Sequence, residues 1–143
     1  MKKILSTILM LTLVCSLLVP SLSAAEIEPR DSRFFQDYGT TLAAEDDGII
    51  RITFSATGLQ INNSIGVATY QVEKLEDDGD WVNVTELLSG QTASGVFSYT
   101  YSRNFQGVPG ETYRVQVTFV CSRNDGMESK AYTSGRITAK RYA

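Results

Sequence analysis

The sequence predicts an all-β protein: an antiparallel sandwich of seven short strands that follows an N-terminal signal peptide. Apolar and polar residues alternate in several segments, turn residues separate these segments, and no segment repeats with a helical period. Alternation with a period of two is typical of strands that are buried on one face. Short turns between such strands make neighbouring strands antiparallel, which favours a sandwich.

Residues 1–25 have the composition of a secretory signal peptide. Two lysines follow the first methionine, residues 4–19 are almost wholly apolar, and Ser23, Ala24 and Ala25 supply the small residues that precede a cleavage site. About 16 apolar residues are fewer than the roughly 20 that span a bilayer. We therefore expect cleavage after Ala25 rather than a retained anchor, and a secreted, extracellular protein that does not stay in the membrane.

The charge balance and the missing histidine limit the possible functions. The chain carries 13 basic and 16 acidic side chains, and cleavage also removes Lys2 and Lys3. An acidic surface argues against nucleic acid or anionic lipid as the partner. The chain contains no histidine, which excludes Ser-His, Cys-His and histidine–metal sites. No cofactor is expected.

The mature chain is predicted to hold one domain at 38–143, behind a charged leader at 26–37. The leader has no periodicity, so it is expected to be mobile unless Phe34 and Phe35 dock against the domain. Turns are predicted at Asp47-Gly48 and at 77–80. Two longer connections are predicted, a ten-residue loop at 57–66 and a crossing at 86–95. The seven strands are predicted at 38–44, 50–56, 68–73, 81–84, 97–102, 113–121 and 129–139. The alternation predicts one apolar row on each of the second, third and fifth strands: Ile50, Ile52, Phe54 and Ala56; Ala68, Tyr70 and Val72; and Phe97, Tyr99 and Tyr101.

The sixth predicted strand has the longest alternation in the chain. Its apolar row is Tyr113, Val115, Val117, Phe119 and Cys121. Cleavage of the signal peptide removes the other cysteine, so an intramolecular disulfide is impossible in the mature chain. Because Cys121 belongs to the apolar row, we interpret it as a small buried hydrophobe rather than a reactive thiol.

The stretch V-P-G-E-T-Y-R-V-Q-V, which contains Tyr113, resembles a corner of fibronectin type III domains, which share the immunoglobulin-like sandwich. The resemblance implies that the Tyr113 hydroxyl bonds back to nearby backbone. The runs F-F-Q-D-Y-G-T-T-L, I-R-I-T-F-S-A-T-G, S-I-G-V-A-T-Y-Q-V-E-K and D-W-V-N-V are, with the Tyr113 strand, similar to a family of small secreted β-sandwich proteins from Gram-positive anaerobes. That family has no known function, so the resemblance implies no activity, ligand or site residue.

Five aspartates in predicted turns are the candidates for acid–base or metal chemistry. A catalytic carboxylate pair should lie in a cleft with apolar walls, whereas these side chains are expected to be solvated. The spacing at 78–83 also fails the EF-hand pattern, because Asn83 stands where glycine is needed. The turns are nevertheless expected at one pole, so weak calcium binding there stays open beside a plain acidic surface. The five aspartates are Asp46, Asp47, Asp77, Asp78 and Asp80.

The loop at 57–66 is the candidate binding tip at the opposite pole. It mixes apolar and amide side chains, as binding loops do, and the candidate residues are Leu59, Ile61, Asn62, Asn63 and Ile65. The alternative is that its apolar residues turn inward and cap the core. Trp81 is interpreted as a packing residue of the hairpin rather than a platform for a sugar ring.

Two function classes remain open from the sequence. The preferred one is a non-catalytic binding module that contacts an unidentified protein or glycan at the cell surface. The alternative is a structural or surface-coat protein without a specific ligand. Exposure of Leu59, Ile61 and Ile65 favours the first class and their burial favours the second. Nothing in the pattern of residues favours an enzyme.

Overall fold

The computed structural model describes residues 32–141, which form ten β-strands and a 3-10 turn at Asp46–Gly48. The predicted signal peptide, its cleavage site and the first part of the leader lie outside the described residues. Every pairing between the strands is antiparallel, which confirms the predicted all-β, antiparallel class. The strands are β1 (Phe35–Ala44), β2 (Ile49–Asn62), β3 (Ser64–Leu75), β4 (Trp81–Asn83), β5 (Leu88–Ser89), β6 (Thr92–Ala93), β7 (Val96–Gln106), β8 (Thr112–Arg123), β9 (Gly126–Thr133) and β10 (Ile137–Thr138).

The strands form two sheets. The smaller sheet has the order β1-β2-β7, and the larger one is built on β10-β8-β3-β4. In the larger sheet, β4, β5 and β6 follow one another along the free edge of β3, while β9 and β10 lie along β8. There are ten strands rather than seven, because the predicted crossing at 86–95 pairs with β3 twice and the last predicted strand is split into β9 and β10.

Both sheets contribute to one hydrophobic core. The alternation predicted for the second and sixth strands is confirmed, since the apolar rows of β2 and β8 are buried. Across the core, the ring centroids of Phe54 on β2 and Tyr70 on β3 lie 5.0 Å apart. Full burial of each large aliphatic or aromatic side chain contributes about 1.5–3 kcal/mol. The buried residues of these two rows are Ile50, Ile52, Phe54, Ala56, Tyr113, Val115, Val117, Phe119 and Cys121.

The end of the leader is docked against the domain. Phe34 and Phe35 are each only 4% exposed, and β1 begins at Phe35, three residues before the predicted strand. Glu128 on β9 accepts hydrogen bonds from the Ser32 hydroxyl and the Phe34 N–H. The strand therefore starts early because apolar burial and the half-buried Glu128 carboxylate hold this segment.

The predicted loop at 57–66 is wrong. β2 continues to Asn62 and β3 begins at Ser64, so only Asn63 lies between them. β2 continues because the Leu59 N–H donates to the Phe34 carbonyl and Asn62 pairs with Val96 on β7. These partners come from distant parts of the chain.

A second correction concerns β3. Ala68 was predicted on the buried face with Tyr70 and Val72, but it is exposed. The register with β8 shifts between Val67 and Thr69, and such a bulge moves the extra residue off the face that the simple alternation assigns to it. Val67 takes the buried position instead.

Tyr113 supports the corner that precedes β8. Its hydroxyl accepts a hydrogen bond from the Val108 N–H at 2.8 Å, and its side chain is buried. A Cβ atom at Gly107 would lie 2.9 Å from a ring carbon of Tyr113, so glycine allows this close approach. The hydrogen bond expected from the resemblance at this corner is therefore present.

Candidate functional site

The five residues of the predicted binding tip are divided between the surface and the core. Leu59 is 52% exposed and Ile61 is 69% exposed, whereas Asn62 is 1% exposed and Ile65 is fully buried. Asn63 is exposed. The structure therefore leaves two apolar side chains at the surface and places the other apolar candidate in the core.

An irregularity in the pairing of β2 with β7 explains the exposure of Leu59 and Ile61. Thr57 pairs with Ser98 and Asn62 pairs with Val96, so the segment 58–61 lies opposite the single residue Phe97. A strand with extra residues on one side arches away from its partner. The arch carries Leu59 and Ile61 into solvent.

Phe97 joins these two residues at the surface. It was predicted to share the buried row of Tyr99 and Tyr101, but it is 45% exposed. The reason is again the shifted register, because Val96 rather than Phe97 packs against the core there. We call Leu59, Ile61 and Phe97 the apolar tip. Sequence reasoning missed Phe97 because the alternation gives no sign of the shift.

Asn62 supports the apolar tip from inside. Its side chain folds back beneath Gly58, where a Cβ atom would lie only 2.2 Å from the Asn62 Nδ2 atom. Nδ2 donates to the Val96 carbonyl at 3.2 Å, and Oδ1 accepts from the Cys121 thiol at 3.0 Å. A buried amide with satisfied hydrogen bonds stabilises one local arrangement. Asn62 is therefore a structural residue, not part of a contact surface.

Asn63, the single residue between β2 and β3, is hydrogen-bonded to the end of β8 and to the turn that follows it. Its Nδ2 donates to the Asn124 Oδ1 at 2.7 Å, and its N–H donates to the Ser122 carbonyl at 2.9 Å. These contacts lie at the surface. They hold the base of the apolar tip in place without filling the core.

Cys121 lies in the core and is free of any disulfide. Burial raises the pKa of its thiol, Arg123 partly opposes that effect and Glu128 adds to it. A neutral buried thiol that donates a hydrogen bond is a poor nucleophile. The interpretation of Cys121 as a small buried residue is confirmed.

The acidic turns do not form a metal centre. Within residues 32–141, no three or more acidic or cysteine side chains are grouped so that they could hold an ion. Asp78 accepts a hydrogen bond from the Asp80 N–H at 3.0 Å, as in an ordinary turn. Asp46 and Asp47 lie in the separate 3-10 turn, and Asp77 lies in the turn between β3 and β4.

Cations moderate the negative charge beside these turns. Glu45 pairs with Arg51 at 2.5 Å, and Glu76 pairs with Lys74 at 3.1 Å. The hydrogen bond to Glu76 raises the pKa of Lys74, and the charges of Glu76 and Glu111 act in the same direction. The structure thus gives the calcium hypothesis no support at these residues.

Trp81 is partly covered by a charged neighbour. The Arg114 guanidinium lies 4.2 Å from the centroid of its ring, and the Arg114 Nε bonds to Glu73 at 2.5 Å. A guanidinium held over an indole face is a favourable cation–π contact. One face of the ring is therefore occupied, which supports packing rather than sugar stacking.

The comparisons with known proteins add no family. No model of a known protein family matches the chain, and a search of curated proteins finds no significant match. In residues 32–141, no helix has the length and apolar content needed to cross a membrane.

Proposed function

We propose that this protein is a secreted, non-catalytic binding module with a fibronectin III-like sandwich. The observation that carries the proposal is the exposure of Leu59 and Ile61 on an arch whose base is held by hydrogen bonds. When a partner covers side chains of this kind, their apolar surface is removed from water, which favours association. An arch that is already ordered loses little entropy on binding.

The sheet arrangement supports the finer fold assignment. The order β1-β2-β7 faces a sheet whose central strands are β8 and β3, and Tyr113 makes its corner hydrogen bond to Val108. Such sandwiches carry their binding residues on the segments that connect strands at the ends of the sheets. The apolar tip lies at such an end, where the chain passes from β2 to β3.

The chemistry of the apolar tip favours a protein partner over a glycan. Leu59 and Ile61 offer no hydrogen-bonding groups, whereas Phe97 adds an aromatic ring that is 45% exposed. Apolar and aromatic anchors with a polar surround are typical of protein interfaces. The site therefore fits an extracellular protein whose surface presents an apolar pocket, and secretion through the predicted signal peptide would bring the module to it.

The alternative function is a structural surface protein without a specific ligand. The burial of Asn62 and Ile65 favours it, because these two members of the predicted tip stabilise the fold instead. Under this alternative, the apolar tip has no partner and binding experiments give no saturable signal.

Binding to intact cells and to isolated envelope material tests the proposal. We expect saturable binding of the labelled wild-type protein, and a loss of at least about tenfold in affinity, or about 1.4 kcal/mol, when Leu59 and Ile61 are both replaced by serine. Val108→Ser is the matched control, because Val108 is also 59% exposed but precedes β8, at the end of that strand far from Asn63 and the apolar tip. Equal binding by the double variant would contradict the apolar tip as the binding surface, and absent wild-type binding would favour the structural alternative.

A further inference from the structure

β7 is a long strand at the edge of the smaller sheet. It extends over 11 residues, Val96–Gln106, and among residues 32–141 it pairs with β2 alone. Its outer side therefore presents backbone N–H and carbonyl groups that a further strand can bind. We propose that this side binds the β7 strand of a second copy of the chain, in an antiparallel pairing that joins the two smaller sheets. The proposal does not depend on the apolar tip.

The features that usually prevent pairing at a sheet edge are missing from β7. Such features are lysine, proline, bulges and short strands. β1 has a break in its register near its start, β9 carries Glu128 and Lys130, and the outer edge of β3 is divided among three short strands. In contrast, β7 contains no lysine, proline or glycine, and Arg103 is its single charged residue. Its register with β2 is unbroken from Ser98 to Gln106.

β7 lies beside the edge of the larger sheet that β4, β5 and β6 form. The Tyr101 hydroxyl accepts a hydrogen bond from the Gln91 N–H at 2.9 Å, and the Tyr99 hydroxyl donates to the Gln91 Oε1 at 3.2 Å. Gln91 directly precedes β6. Further along β7, the ring of Phe105 packs edge-on against Tyr113 at 5.2 Å. The free edges of both sheets are therefore on the same side of the sandwich.

The larger sheet leaves apolar residues exposed on this side. Lys74 pairs with Val82 on β4 and with the buried Tyr113 on β8, which places Val82 on the core-facing side of the sheet. Val82 is nevertheless 45% exposed, because the smaller sheet ends at β7 and does not extend over it. Val84, two residues further on, is 41% exposed. A strand added to β7 would cover this apolar surface.

The sequence of β7 is suited to pairing with itself. An antiparallel pairing centred on Thr100 places Tyr99 opposite the second copy's Tyr101, and Arg103 opposite the second copy's Phe97. Aromatic pairs and an arginine beside an aromatic ring are favourable cross-strand neighbours. No two like charges meet, since the strand contains no acidic residue and its single arginine does not face itself.

A second copy also fits this side better than a flexible peptide does. Its β7 is already an ordered strand, so pairing does not require the ordering of a mobile backbone, which opposes binding of a flexible segment. A two-fold axis through the pairing makes the interface isologous. The same axis brings the open sides of both sandwiches together, so that Val82 and Val84 of each copy are covered in one step.

Sedimentation of the purified protein at increasing concentration tests the proposal. We expect a monomer–dimer equilibrium with a dissociation constant of about 1–100 µM. Protection of alternate β7 amides from hydrogen exchange should rise with protein concentration, because only every second residue of an edge strand points its N–H outward. A protein that stays monomeric would overturn the proposal. If such a monomer lost binding to envelope material on Thr100→Lys, the edge would instead belong to a strand of another protein.

A pair of charge variants at Thr100 tests the symmetry of the contact. Thr100 is exposed, so Thr100→Lys and Thr100→Glu should fold with urea midpoints close to wild type. Each alone should weaken self-association at least about tenfold, because like charges meet across the axis. An equimolar mixture of the two should restore it. Unchanged self-association of either variant, or a mixture that stays monomeric, would contradict the pairing.

Two controls separate this contact from other surfaces. Ala131→Lys places the same charge at an exposed position on β9, the edge strand of the larger sheet, and should leave self-association unchanged. The variant with Leu59 and Ile61 both replaced by serine should also dimerise as wild type does, so failure of the dimer and failure of the apolar tip are distinguishable. Loss of the dimer in the Ala131 variant would contradict an interface at β7.

Discussion

The Cys121 thiol donates a hydrogen bond to the Asn62 amide oxygen, with 3.0 Å between Sγ and Oδ1. Cys121 is on β8 of the larger sheet, and Asn62 is at the end of β2 in the smaller one. Both side chains are buried, at 0% and 1% exposure. The contact therefore links the two sheets directly beneath the arch that carries Leu59 and Ile61.

The first prediction tests this link through two neighbouring asparagines. Asn62→Ala removes the donor to the Val96 carbonyl and the acceptor of the Cys121 thiol, and it leaves a cavity beneath Gly58. We expect a loss of about 2–3 kcal/mol in the free energy of unfolding. Asn63→Ala is the matched control, with an expected change within about 0.5 kcal/mol because its side chain is exposed. Urea unfolding measures both, and similar losses for the two variants would argue against the buried link.

The second prediction concerns the accessibility of Cys121. Burial raises the pKa of the thiol, so both its neutral state and the surrounding core protect it from a thiol reagent. A thiol reagent should label the native protein at least about 10³-fold more slowly than the protein in urea, because labelling requires opening of the core. Labelling at comparable rates would contradict the position of β8. The rate is measured by mass spectrometry.

The third prediction separates the hydroxyl of Tyr113 from its ring. Tyr113→Phe removes the acceptor of the Val108 N–H and should cost about 1 kcal/mol. Tyr113→Ala also removes a ring that packs edge-on against Phe105 at 5.2 Å, and it should cost roughly 3–5 kcal/mol. Urea midpoints that do not differ between the wild type and these variants would rule out a stabilising role for the corner.

The fourth prediction concerns pH and the docked N-terminal segment. Burial acts to raise the pKa of Glu128, but hydrogen bonds from Ser32, Lys130 and the Phe34 N–H outweigh it, and the pKa is lowered overall. A carboxyl whose pKa is lower in the folded protein stabilises it above the unfolded value of about 4.3, and this stabilisation is lost as the pH falls through the folded pKa.

Glu128→Gln should therefore lower stability by about 1 kcal/mol at neutral pH, with the difference from wild type shrinking as the pH falls below about 4. Urea midpoints between pH 3 and pH 7 measure this. Glu86→Gln, at an exposed position outside the docked N-terminal segment, serves as the control and should leave the wild-type profile unchanged. A difference that stays constant with pH would show that the Glu128 carboxylate does not hold the segment.

The central part of the fold was predictable because its signals are local. The alternation from Tyr113 to Cys121 assigns each side chain of β8 to one face, and burial follows that assignment. The hairpin from β3 to β4 was also predictable, since Asp78 and Gly79 are typical turn residues. In β8 and at this turn, the neighbours in sequence are sufficient to determine the environment of each residue.

The candidate sites were less predictable because distant contacts determine them. Leu59 and Asn62 are three residues apart, yet one is exposed and the other buried because of pairing with β1 and β7.

The urea-unfolding free energy of the variant with both Leu59 and Ile61 replaced by serine tests the central claim most directly. If these side chains form an exposed contact surface, the value should lie within about 0.5 kcal/mol of wild type, so that any loss of binding reflects the surface itself. If they instead cap the core, removal of buried aliphatic surface should cost about 2–4 kcal/mol. A loss of that size would contradict the apolar tip as a binding surface.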